Sequence, residues 1–202
     1  CPNELSNPKV RWFRSFEVTP GIVHSVAYIE HSYPAASAQK VNYKFKLYDA
    51  KNSLIAERSG TTYLGPMGRT AIVEPLVRIG NSQVATTRFE FIPPVPWQKS
   101  DPAFSQVVVK TDRSLLESYK GGTRLTVTLD NLSRYSFENI DTVAILYDAN
   151  DNAITASKIL VPSLPGQGKQ VVYFTWPFTV DPKSVVRTEV IPRINPFSAK
   201  AI

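Results

Sequence analysis

The sequence predicts an all-β protein built as two tandem β-sandwiches. Three observations predict it. The stretch Val41-Asn42-Tyr43-Lys44-Phe45-Lys46-Leu47-Tyr48-Asp49-Ala50 returns as Asp141-Thr142-Val143-Ala144-Ile145-Leu146-Tyr147-Asp148-Ala149-Asn150, and both contain Leu-Tyr-Asp-Ala. The clearest apolar patterns repeat every two residues, the period of a strand with one buried and one wet face. Sixteen prolines against nine glycines punctuate the chain, as suits a loop-rich all-β protein.

The repeat holds register along the chain. Leu47 and Leu146 are 99 positions apart, and Leu64 and Leu164, each ahead of a Gly/Pro turn, are 100 apart. Arg88-x-Glu90-x-Ile92-Pro93 returns as Arg187-x-Glu189-x-Ile191-Pro192, again 99 apart. Such a fixed period marks an internal duplication.

In chain order, residues 1–8 read as a polar tether. Val10, Trp12 and Phe16 mark a first strand, ended by Pro20-Gly21. A second strand runs from Ile22 to Glu30. In the repeated strand Val41, Tyr43, Phe45 and Leu47 fall on one face, and Asn42, Lys44, Lys46 and Tyr48 on the other. Asp49 to Ser53 form a turn in which Asp and Asn side chains bond their own backbone. Further strands lead to Phe89 and Phe91, and Pro93 to Trp97 stiffen the exit. The first sandwich is thus expected over residues 9–97, a linker over 98–103 and the second sandwich over 104–202. Asp112 to Lys120 is the one stretch of helical character. Each copy of about 95 residues carries about seven short strands, the pattern of an immunoglobulin-like or fibronectin-like sandwich.

Composition narrows the function. The net charge is +6 and the pI about 9.4, with basic residues scattered rather than blocked. This fits contact with an anionic polymer or glycan, and it carries no signature of specific nucleic-acid binding. No apolar run reaches the roughly 18 residues of a membrane-spanning helix. The single cysteine, Cys1, can form no disulfide within the chain. It is a candidate for the lipidated first residue of a mature bacterial lipoprotein, which would be the chain's sole link to a membrane. Two other readings are the remnant of a removed cysteine-rich segment and a cloning residue.

Candidate chemistry is sparse. His24 and His31 are the only histidines, and a metal site needs three or four ligands, so no metal or other cofactor is expected. No nucleophilic triad is legible, and no catalytic residue is assigned. Asp148-x-Asn150-Asp151-Asn152 is oxygen-rich like a calcium loop but lacks the EF-hand glycine and glutamate, so a hairpin turn is the expectation. Arg88 with Glu90, and Arg187 with Glu189, are expected in surface ion pairs. Trp12, Trp97 and Trp176, with Tyr135 and Phe137, could form a sugar-stacking platform if exposed. Trp97, beside Pro94 and Pro96, is expected to pack between the two domains.

Phe45-Lys46-Leu47-Tyr48-Asp49 resembles the Phe-x-Leu-Tyr-Asp signature of the FxLYD family of bacterial envelope domains. The second copy, Ala144-Ile145-Leu146-Tyr147-Asp148, matches more loosely. The whole chain also looks like uncharacterised two-domain surface proteins of reduced-genome bacteria. The resemblance implies an exported, immunoglobulin-like module without catalytic residues. The expected function is therefore non-enzymatic: a stalk, adhesion or assembly module on a bacterial surface, touching protein or an envelope polymer through sheet edges and the face carrying Lys44 and Lys46. A carbohydrate-binding module is the alternative.

Overall fold

The computed structural model describes residues 7–66, 68–198 and 200–201. Cys1, the lipidation candidate, lies outside them. The chain divides into two units between Ser105 and Gln106.

Unit 1 contains β1 (Lys9–Thr19), β2 (Ile22–His31), β3 (Ala36–Tyr48), β4 (Leu54–Leu64), β5 (Gly68–Arg78), β6 (Thr86–Ile92) and β7 (Gln98–Lys99). One sheet has the order β1-β2-β5; the other has the order β4-β3-β6, with β7 also pairing with β3. Unit 2 contains β8 (Val109–Tyr119), β9 (Gly122–Asn131), β10 (Tyr135–Tyr147), β11 (Ala153–Leu164), β12 (Lys169–Trp176), β13 (Arg187–Pro192) and β14 (Lys200–Ala201). Its sheets repeat the scheme as β12-β9-β8 and β11-β10-β13, with β14 on β10. All the pairings are antiparallel.

The core of unit 1 follows from the period-two pattern. Val41, Tyr43, Phe45 and Leu47 of β3 point inward, joined by Phe89 and Phe91 of β6 and by Ala27, Ile29 and Ile72 of the opposite sheet. The Phe45 and Phe89 rings meet at 4.9 Å and 61°, and Phe89 and Phe91 at 5.0 Å and 85°, edge-to-face arrangements favoured by the ring quadrupole. The Tyr43 hydroxyl crosses from one sheet to the other and donates to Glu74 of β5. Gly60 of β4 lies over that phenol: a Cβ there would collide with the Tyr43 hydroxyl and ring.

The hairpin turns are the same in both units. Asp49 Oδ1 accepts the backbone N–H groups of Lys51 at 2.9 Å and Ser53 at 2.8 Å. Asp148 Oδ1 accepts those of Asn150 and Asn152, both at 2.9 Å. Asn52 and Asp151 take the left-handed conformation at φ 60° and 58°, which Asn and Asp tolerate best among residues with a side chain.

Two expectations are corrected. Residues 112–119, expected to have helical character, lie in strand β8, paired with β9 from Val109↔Asn131 to Tyr119↔Gly122. The β9 partner supplies the ladder, and tertiary pairing overrides the local preference. The expected linker at 98–103 begins inside unit 1, because β7 pairs Gln98 with Ser37 and Lys99 with Ala36. That pairing also turns Trp97 inward, as shown below.

The two units also differ in how the repeated motif is paired. In unit 1, Tyr48 lies opposite Thr86 and Lys46 opposite Arg88. In unit 2, Tyr147 lies opposite Arg187 and Ile145 opposite Glu189. The Arg-x-Glu motif is thus displaced by two residues along its neighbour. A slip of two leaves every side chain on its original face, so the alternating pattern does not detect it.

Candidate functional site

The outer face of the β4-β3-β6 sheet in unit 1 carries charge. Lys44, Lys46 and Tyr48 project from β3, between Glu57 of β4 and Arg88 and Glu90 of β6. Lys44 bonds Glu57 at 3.0 Å and Lys46 bonds Glu90 at 3.1 Å. Both pairs run diagonally across the ladder, since Lys44 lies opposite Glu90 and Lys46 opposite Arg88. The hydrogen bond to Glu90 raises the Lys46 ammonium above its ordinary value. The two lysines named from the sequence are therefore brought together, each already holding a carboxylate.

Arg88 is the cation left over. The face holds Lys44, Lys46 and Arg88 against Glu57 and Glu90. Arg88 sits 5.8 Å from the centroid of the Tyr48 ring and makes no ion pair among the described residues. A groove of about 540 Å³ opens over this face, lined by Lys44, Lys46, Tyr48, Thr86, Arg88, Glu90 and Phe13 of β1. Phe13 is 38% exposed at its rim. Sequence reasoning named Lys44 and Lys46 but expected Arg88 in an ion pair and passed over Phe13; the signal for Arg88 was the excess of cations over carboxylates on that face.

Unit 2 has diverged at the matching positions. Val143 and Ile145 of β10 replace Lys44 and Lys46, and both are fully buried. Strands buried on both faces read as continuous apolar runs, and Val143 to Leu146 is one. Arg187 is held internally. It bonds Asp151 Oδ1 through Nε at 2.9 Å and Nη2 at 2.6 Å, and Glu189 Oε2 through Nη1 at 3.1 Å. Its guanidinium lies 3.6 Å from the Tyr147 ring centroid. Burial opposes the Arg187 charge, but the hydrogen bonds to Asp151 and Glu189 outweigh it and hold Arg187 above the ordinary guanidinium range. Burial and then the Glu189 carboxylate push the Tyr147 phenol above its usual value.

The remaining sequence candidates fall elsewhere. Trp97 is 7% exposed and belongs to the unit 1 core, its ring 5.5 Å from His31 and 5.2 Å from Tyr33. Trp176 is 4% exposed. Neither presents a face to a sugar; Trp12, half-buried, stacks on Tyr28 at 5.5 Å and 11°. His24 Nδ1 accepts the Leu76 backbone N–H at 3.1 Å. Burial lowers the pKa of both His24 and His31. Among the described residues no group of three or more His, Cys, Asp or Glu is arranged to hold a metal ion. In the 148–152 turn, Asp148 faces its own backbone donors and Asp151 holds Arg187, so both carboxylates are engaged. Sequence reasoning missed the buried polar atoms His31 Nδ1, Trp97 Nε1 and Ser100 Oγ, which lack hydrogen-bond partners among the described residues. No helix among the described residues is long and apolar enough to cross a membrane.

Comparison with known proteins adds no assignment to this geometry: no protein-family model matches the chain, and no match is found among curated proteins.

Proposed function

We propose that the chain is a non-enzymatic module of a bacterial surface whose first unit binds a partner through the charged groove over Lys44 and Lys46. The observation that carries this reading is the divergence of two otherwise matched strands. Unit 1 keeps Lys44 and Lys46 on the outer face beside a groove of about 540 Å³, where unit 2 has buried Val143 and Ile145. A duplicated scaffold that turns one copy of a face into core and keeps the other charged supports a binding role for the charged copy. The partner class is a protein or an anionic envelope polymer. Export and an envelope location rest on the FxLYD resemblance of Phe45-Lys46-Leu47-Tyr48-Asp49, and a lipid on Cys1 would be the membrane link.

The reading is tested by affinity capture from a bacterial envelope fraction, comparing the natural chain with Lys44→Glu/Lys46→Glu. A saturable partner captured by the natural chain and lost from the double variant is the expected result. Equal capture by both removes the groove from the function. A carbohydrate-binding role is the second reading, but Trp97 and Trp176, two of the three tryptophans that would stack on a sugar, are buried.

A further inference from the structure

The same Arg-x-Glu motif meets two different fates in the two units. In unit 2 the slipped register sets Arg187 directly across from Tyr147, beside the turn, where Asp151 and Glu189 engage its guanidinium. In unit 1 the motif's Arg88 lies across from Lys46 instead, and its Glu90 is taken by Lys46 at 3.1 Å. The residue at the Asp151 position of the turn is Asn52, which carries no charge. Arg88 is left against Tyr48 at 5.8 Å, with no carboxylate among the described residues and with the groove in front of it.

From this we infer that Arg88 is a recognition residue for the carboxylate of an aspartate or glutamate in an extended peptide. The inference rests on unit 1 being the binding unit, and it names what that unit binds. Guanidinium and carboxylate match in planar, forked geometry, and a charge-assisted pair is stronger than a neutral hydrogen bond. Unit 2 supplies the precedent, since the carboxylates that Arg187 holds belong to polypeptide side chains. Strand β6 ends its sheet order and contributes Thr86, Arg88 and Glu90 to the groove, which suits an extended chain running alongside. Phe13, 38% exposed, offers an apolar contact for a residue next to the acidic one. Lys44 and Lys46 each hold a carboxylate of their own, so the face keeps one net positive charge and it sits on Arg88.

The unit 2 geometry also indicates how to close the site from within. Arg187 and Glu189 pair at 3.1 Å although they are two apart on one strand. Thr86→Glu would set a carboxylate two residues from Arg88 on the same face and occupy its guanidinium.

The test is a chemical-shift titration of the full chain with the blocked peptide acetyl-Ala-Glu-Leu-Ala-amide, its Gln counterpart, and digalacturonate. The expected result is saturable binding of the Glu peptide, about tenfold tighter than the Gln peptide and weakened by salt. It should move the signals of residues 86–90, be lost in Arg88→Gln and Thr86→Glu, and survive in Thr86→Gln. Equal binding of the two peptides, unchanged binding in Thr86→Glu, or no saturable shift overturns the inference. Digalacturonate binding through Arg88 without the peptide also overturns it, in favour of an acidic glycan. If Arg88→Gln still captures the envelope partner that Lys44→Glu/Lys46→Glu loses, the binding role of unit 1 stands and the Arg88 inference falls. If charge reversal at Lys44 and Lys46 leaves capture intact, the proposed function itself falls.

Discussion

Arg187 sits over the Tyr147 ring, its guanidinium carbon 3.6 Å from the ring centroid, while Tyr147 donates to Glu189 Oε2 at 3.1 Å. The arginine therefore closes a ring of contacts: cation over aromatic face, fork onto Asp151, second donor onto Glu189. Tyr147 is only 3% exposed beneath it.

This arrangement predicts that Arg187→Met destabilises unit 2. The arginine side chain is 43% exposed, so solvent screens much of the ionic part. The expected cost is about 1–2 kcal/mol from the cation–π contact and the paired carboxylates. Arg88→Met, which breaks no ion pair among the described residues, should cost less than about 0.5 kcal/mol. Urea unfolding monitored at each unit separates the two, and equal costs would contradict the assignment.

The aspartate turns predict matched costs in both units. Each carboxylate oxygen caps two backbone N–H groups. Asp49→Ala and Asp148→Ala should each cost about 1–2 kcal/mol, and the Asn variants less, because an amide oxygen still accepts. The double variant should show additive losses, as distant sites do.

Gly60 and Tyr43 predict a coupled pair. Gly60→Ala drives a methyl group into the Tyr43 phenol and should cost about 1–3 kcal/mol by overpacking. Tyr43→Phe removes the hydroxyl that bonds Glu74 and that lies nearest the added methyl, leaving the ring Cζ as the remaining close contact. Adding Gly60→Ala to Tyr43→Phe should therefore cost less than adding it to the natural chain, though not nothing. A double-mutant cycle with no coupling would rule out this contact.

The histidines predict loss of stability in acid. Burial lowers the folded-state pKa of His24 and of His31 below the ordinary value of 6.5. Below that value the unfolded chain takes up a proton before the folded one does, so stability falls as the pH falls towards the folded pKa. Above it neither histidine contributes a slope. His31 sits against Trp97 and Tyr33, and its Nδ1 has no acceptor among the described residues when protonated. His31→Phe should keep the aromatic cluster and flatten the slope between about pH 5 and pH 7. Urea midpoints across that range check the sign.

The order of residues alone determined the all-β class, the inward face of β3 and the Asp49 and Asp148 turns. Each of these is local: alternation is read within one strand, and an aspartate that bonds backbone two and four residues on needs no distant partner. The duplication was also legible, because the same turn and strand residues recur near one spacing. Tertiary structure decided what depends on a partner strand. The β9 ladder made a strand of residues 112–119, and the pairing of β7 with β3 drew Trp97 into the unit 1 core. The ladder also set the two-residue displacement of Arg187 relative to Arg88. A shift of two preserves the alternation of faces and so leaves no trace in the pattern of residues; only the paired strands reveal which arginine found its carboxylates and which did not.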